Sequence, residues 1–119
     1  MATSTIKRPE GYVETFTANP ASVFSEFAVS GEYHSIDGTV RIAFIARASD
    51  AKQTTIIATD IPVKYRPTTS KNGVGFIRGA NQTDLLTPTS LITVNALGQI
   101  GQGVTGSYTQ AIGIISYQL

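Results

Sequence analysis

The 119 residues suffice for one domain that buries roughly two-thirds of the surface its unfolded chain would expose. Apolar residues make up 41% of the chain, charged residues only 14%, and the net charge of +1 offers nucleic acid or an anionic membrane no electrostatic footprint. Zero cysteines exclude disulfides, thiolate chemistry and Cys-ligated zinc, and one histidine excludes His₂ and His₃ metal sites.

Met1–Glu10 (MATSTIKRPE) is polar and carries no apolar segment of the secretory type, so it is expected to be an unstructured arm or linker before a single domain at 11–119. No apolar run approaches the length of a membrane span. In Gly11–Thr17, Tyr12, Glu14 and Phe16 share one face, which predicts a first strand. Asn19-Pro20 has the chemistry of a helix start, but no apolar face of helical period follows, so a turn is expected. Val23–Ser30 alternates as a strand, with Gly31 and Asp37-Gly38 as turn signals, the second of hairpin type. Thr39–Ala48 is the clearest strand: Val40, Ile42 and Phe44 face one way, Arg41, Ala43, Ile45 and Arg47 the other. Ser49–Lys52 reads as a turn and Thr54–Thr59 as a β-branched strand.

Asp60–Thr69 (DIPVKYRPTT) interrupts the pattern. Pro62 and Pro67 fix φ and lack an N–H, and they push Ile61 and Arg66 toward extended backbone. The stretch predicts a stiff corner with Val63 and Tyr65 plugged inward and Lys64 and Arg66 pointing out. Gly73–Arg78 follows as a short strand that its glycines bend or bulge, then Gly79–Ser90 as a polar loop. Leu91–Asn95 and Gln99–Val104 form a hairpin around Ala96–Gly98, and Gly103–Thr105 opens another loop. Tyr108–Gln118 is the densest apolar run, and Ile112, Ile114 and Ile115 cannot share a face, so burial on both sides is expected. Seven to nine short strands separated by turns predict an all-β fold, a small antiparallel β-sandwich or β-barrel of jelly-roll or Greek-key type.

Catalytic patterns are missing. His34 has no G-x-S-x-G elbow to serve, and Glu26, Glu32, Asp37, Asp60 and Asp84 are scattered rather than paired. Gly101–Gly106 matches G-x-G-x-x-G, but no helix follows it and no acidic residue lies downstream, so its glycines read as turn residues. Asn81-Gln82-Thr83 fits a glycosylation sequon without the secretory context that would give it meaning. The expectation is a protein that is not an enzyme and needs no cofactor or metal. Sugars are bound by flat aromatic rings beside bidentate polar groups. Tyr33, His34, Arg78, Asn81 and Asp84 are the candidate saccharide contacts, drawn from a wider set that includes Tyr65, Arg66 and Tyr108.

From Ile61 onward the order is I-P-V-K-Y-R-P, a polar loop, a strand–N-x-x-G–strand hairpin at Leu91–Ile100, then a closing strand at Ile112–Leu119. This order resembles the C-terminal domains of bacteriophage tail-fibre and receptor-binding proteins, whose corner reads L-P-x-x-Y-R-P. In size and layout it is similar to the heads of lactococcal siphophage receptor-binding proteins. The resemblance implies a homotrimer at the virion tail tip or baseplate, in contact with other tail proteins. It implies host adhesion through cell-surface polysaccharide, with no nucleic-acid or membrane partner. The alternative is a structural trimeric β-module of a virion, such as a fibre cap or decoration protein, with no ligand. Some lactococcal heads contact sugar through a His-x-Asp pair and a Trp around that hairpin. Here Leu91 and Thr93 hold the pair's places and the chain has no Trp, so those contacts do not carry over.

Overall fold

A computed structural model describes residues 4–8, 11–52, 55–103 and 107–119. The strands are β1 Ser4–Arg8, β2 Gly11–Phe16, β3 Asn19–Pro20, β4 Glu26–His34, β5 Thr39–Lys52, β6 Ile56–Thr59, β7 Lys71–Arg78, β8 Leu86–Val94, β9 Ile100–Gln102 and β10 Tyr108–Gln118. One 3₁₀ turn, Val63–Tyr65, sits between β6 and β7. All ten strands pair antiparallel in the order β1-β2-β4-β5-β10-β7-β8-β9-β6-β3. Only Thr17 and Ala18 separate β2 from β3, so one pass of the chain touches both ends of that order. The expected all-β antiparallel fold is therefore built as a single sheet curled into a half-barrel.

Period-two burial sets the inner face. On β5, Val40, Ile42, Phe44, Ala46 and Ala48 are buried while Arg41 and Arg47 are exposed. Ala111, Gly113, Ile115 and Tyr117 of β10 join them, with Ile77, Ile92, Val94, Ile100 and Ile57 from the strands beyond. Each large apolar side chain so buried contributes roughly 1.5–3 kcal/mol. β10, last in sequence, is central in space, between β5 and β7. That placement explains its apolar density. Ile115 faces the core, while Ile112 and Ile114 lie on the outer face, the first half-buried and the second exposed.

Several local expectations are corrected. Gly31 is no turn but lies within β4 opposite Phe16, where a Cβ would stand 2.4 Å from the ring. The strand therefore starts later and runs further than Val23–Ser30. Ser49–Lys52 continues β5, because Lys52 still has Tyr108 of β10 to pair with, across a register shift. Asn19-Pro20 pairs with Thr59 and Ala58 at the sheet edge, a place where proline's missing N–H is tolerated. Pro88 likewise falls inside β8, opposite Phe76, at a level where β9 does not reach. In the N-terminal stretch, the backbone of Ser4–Arg8 pairs with β2, since an edge strand needs backbone partners and no apolar face. The Asp37-Gly38 hairpin, the turn ending at Gly98 and the bulge in β7 stand as expected. The G-x-G-x-x-G match runs partly outside the described residues.

Candidate functional site

The corner organises one end of the half-barrel. Pro62 leads into the 3₁₀ turn, Tyr65 Nα donates to the Pro62 carbonyl (2.9 Å), and extended Arg66 ends it. Two of its side chains follow the expected pattern and two do not. Tyr65 plugs inward at 2% exposure, whereas Val63 is turned out at 76%. A 3₁₀ turn brings round one side chain in three, so two residues apart cannot share its inner side as they would in a strand. Arg66 Nε donates to the Ile61 carbonyl (2.6 Å) and its guanidinium packs against Gly98, whose φ of +79° suits the hairpin tip. The Tyr117 hydroxyl donates to the Tyr65 carbonyl, tying the turn to β10.

Around Tyr65 the aromatic rings form a run from core to surface. Phe16 stacks on it at 4.6 Å and 20°, and Tyr33 lies tilted at 5.6 Å. Tyr12 then meets Tyr33 edge-on at 6.4 Å, half in solvent. Glu14, opposite Tyr33 on β2, accepts hydrogen bonds from the Tyr65 hydroxyl and from Lys64 Nζ, the latter at 2.9 Å. The Tyr65 hydroxyl and the Lys64 ammonium hold the Glu14 carboxyl below its ordinary range. Burial, reinforced by Glu14, pushes the Tyr65 phenol up, and Glu14 raises Lys64. Beside Tyr33, His34 Nε2 is buried and makes no hydrogen bond; Glu32 Oε1 at 3.5 Å is too far for one. Thr39 holds the Asp37 carboxyl down at the nearby turn.

Arg78, Asn81 and Asp84 gather elsewhere. Arg78 donates through Nε to Gln110 Oε1 (3.2 Å) and through Nη1 to the Asp84 carbonyl. Asp84 Oδ2 accepts from the Asn81 backbone N–H (3.1 Å). Gln82 Nε2 bridges the Ala48 and Ser49 carbonyls, and Thr109 donates twice to the Gly79 carbonyl. These groups bind the loop 79–85 to the ends of β5 and β10.

The five candidate contacts thus form two groups. Tyr33 opposes Val40, whereas Arg78 opposes Gln110 and through it Arg47, so about seven residues of β5, roughly 23 Å of strand, lie between them. Tyr33 and His34 share the corner end; Arg78, Asn81 and Asp84 share the other. Of the wider set, Tyr65 and Tyr108 are buried, and burial raises the Tyr108 phenol to about 12. Tyr12, Glu14 and Lys64 were not among the candidates, yet they stand beside Tyr33. Glu14 carried a legible signal: it is a carboxylate on the same strand face as Phe16.

The corner end offers an exposed ring, a half-buried ring and charges of both signs within reach of one another. At the 79–85 end, Arg78, Gln82 and Asp84 are engaged in holding the loop, to its own backbone, to Gln110 and to the end of β5. No model of a known protein family matches the sequence, and no curated protein matches it either.

Proposed function

We propose that this chain is a non-catalytic recognition module of the phage receptor-binding kind, a homotrimer at a tail tip or baseplate that holds host cell-surface polysaccharide. The surface of Tyr12, Tyr33, Glu14 and Lys64 makes the contact; His34, next along β4, turns to the opposite face beside Glu32. The juxtaposition of Tyr12 and Tyr33, with Glu14 and Lys64 beside them, carries the reading. A pyranose can lay its apolar face on the tyrosines while its hydroxyls exchange bonds with carboxylate and ammonium. The corner supports this use, because Pro62, Tyr65 and the Tyr117 bond hold the platform rigid before any ligand arrives.

The test is titration of the purified protein with host cell-wall polysaccharide, beside the variants Tyr12→Ala and Lys64→Ala, both at exposed side chains. A tenfold or greater loss of affinity in each, with melting lowered by no more than about 4 °C, is the expected result. Equal loss in Arg78→Ala would move the site to the other end. A second reading, a ligand-free structural module of a virion, is favoured by one observation: Glu14, Lys64 and Tyr65 already satisfy one another. Absence of binding to any host polysaccharide would select it.

A further inference from the structure

β8 runs further than the strand on its far side. β7 pairs with it from Val94 back to Leu86, whereas β9 pairs only with Ile92, Thr93 and Val94. The Gly103 N–H still donates to the Leu91 carbonyl (2.9 Å). Before that point, among the described residues, Leu86–Ser90 has a strand on one side only. A cleft of about 580 Å³ lies against this open edge, within the range of small-molecule sites. Ile77, Pro88 and Leu91 give it apolar surface, and Thr87, Thr89, Ser90 and Ser107 give it hydroxyls.

This lining decides what the cleft can hold. Among the described residues, no charged side chain belongs to it. Arg78, next to Ile77, is committed to Gln110 and to the Asp84 carbonyl. A phosphate, sulfate or carboxylate therefore finds no counter-charge to replace its water. The hydroxyls, by contrast, are available. Among the described residues those of Thr87, Ser90 and Ser107 make no hydrogen bond. Thr89 Oγ1 accepts from the Leu91 N–H (3.1 Å) and keeps its own proton to donate. Each of these groups both donates and accepts, as a sugar hydroxyl does. A peptide strand is the other occupant that an open edge invites. Pro88 withholds an N–H, and the register shift between Gly73 and Gly75 breaks the ladder just beyond it, two features that blunt an edge against strand addition.

We infer that this cleft is a second saccharide site and that it takes an uncharged sugar, its apolar ring face against Pro88 and Leu91 and its hydroxyls on Thr87, Ser90 and Ser107. The inference rests on the recognition reading above for the source of the sugar, not for the place where it binds. By register, Thr87 reaches Ala46 through Ile77 and Ala111, whereas Tyr33 opposes Val40. Six residues of β5, about 20 Å, thus separate the cleft from the tyrosine platform.

Amide NMR titration of the full chain tests it, with uncharged gluco-, galacto- and manno-configured disaccharides as probes and their uronate counterparts beside them. The neutral probes are expected to shift the amides of Thr87, Thr89, Ser90, Leu91 and Ser107, and the uronates to leave them in place. Thr87→Val and Ser90→Ala, both at exposed positions, should each weaken that binding about three- to tenfold, the worth of one neutral hydrogen bond, with the rest of the amide spectrum unchanged. Tyr12→Ala should leave it as it was. Shifts confined to Tyr12 and Tyr33 overturn this inference and spare the recognition reading. Shifts confined to the cleft uphold it and take that reading's contact away from the tyrosines. Silence at the cleft overturns it whatever the tyrosines do, and equal shifts with the uronates overturn the uncharged class. A valine–threonine hexapeptide that moves the same amides where no sugar does would make the edge a strand acceptor, and the inference falls.

Discussion

The two ends of the half-barrel are closed by different physics. At the corner end, a fully enclosed tyrosine ring fills the opening, stacked on Phe16 and tilted against Tyr33. At the far end, the loop 79–85 lies across the strands and is held by hydrogen bonds from Arg78, Gln82 and Thr109. Packing of an aromatic ring is worth several kcal/mol and is lost all at once. Hydrogen bonds at a wet end contribute about 1 kcal/mol each and open singly. A rigid platform therefore belongs at the corner end, and local opening at the other.

Tyr65→Ala breaks the comparison most directly. It leaves a hole beneath Phe16 and Tyr33 and removes a donor to Glu14, and is expected to cost about 3–5 kcal/mol in urea unfolding. Tyr65→Phe keeps the ring and loses the hydroxyl alone, for about 1 kcal/mol. If the two variants unfolded at the same urea concentration, packing would not be what closes this end.

Arg78→Ala should do less and do it locally. Its bonds to Gln110 and to the Asp84 carbonyl vanish, costing about 1–2 kcal/mol. Amide exchange should accelerate across 79–85 while the inward positions of β5 and β10 stay protected. Acceleration throughout the sheet would show that the far end is as cooperative as the corner, and the contrast would fail.

Much of this was legible beforehand where one residue's chemistry decides the local geometry. The alternation of Val40, Ile42 and Phe44 set the inner face of β5, and Asp37-Gly38 and Asn95–Gly98 set two turns. Prolines 62 and 67 marked the corner, and Tyr65 its plug. Two of the misreadings share a cause: the deciding partner is distant in sequence. Gly31 resembles a turn residue until Phe16 is found across the strand, and Ser49–Lys52 resembles a loop until β10 extends beside it. Val63 went wrong through local period, since two residues apart means one face in a strand and different faces in a 3₁₀ turn. At the candidate site, sequence found residue types suited to sugar but not their grouping. The register of β4 on β5 and β7 on β10 sends Tyr33 and Arg78 to opposite ends.

The smallest expected effect sharpens what the corner end does with its charges. Glu14 titrates below its ordinary 4.5 because the Tyr65 hydroxyl and Lys64 bind its charged form. A carboxyl lowered on folding stabilises the native state fully above its unfolded value, and that contribution fades as pH falls through the folded value. Lys64 is raised from 10.5, so its share is complete below that pH and is lost only in alkali. Between pH 7 and 3, then, Glu14 alone of this pair is in play. Glu14→Gln should melt about 2–4 °C below the wild type at pH 7, under about 1 kcal/mol, because the Lys64 side chain is 59% exposed and water screens the pair. The gap should narrow as pH falls through the lowered folded value of Glu14, where the wild type's own carboxyl takes up a proton. Asp37, also lowered, remains in both proteins and cancels in the difference. A gap that stays constant down to the pH at which acid unfolds the wild type would mean that the glutamine fails by shape, and that the charge of Glu14 is free for a ligand.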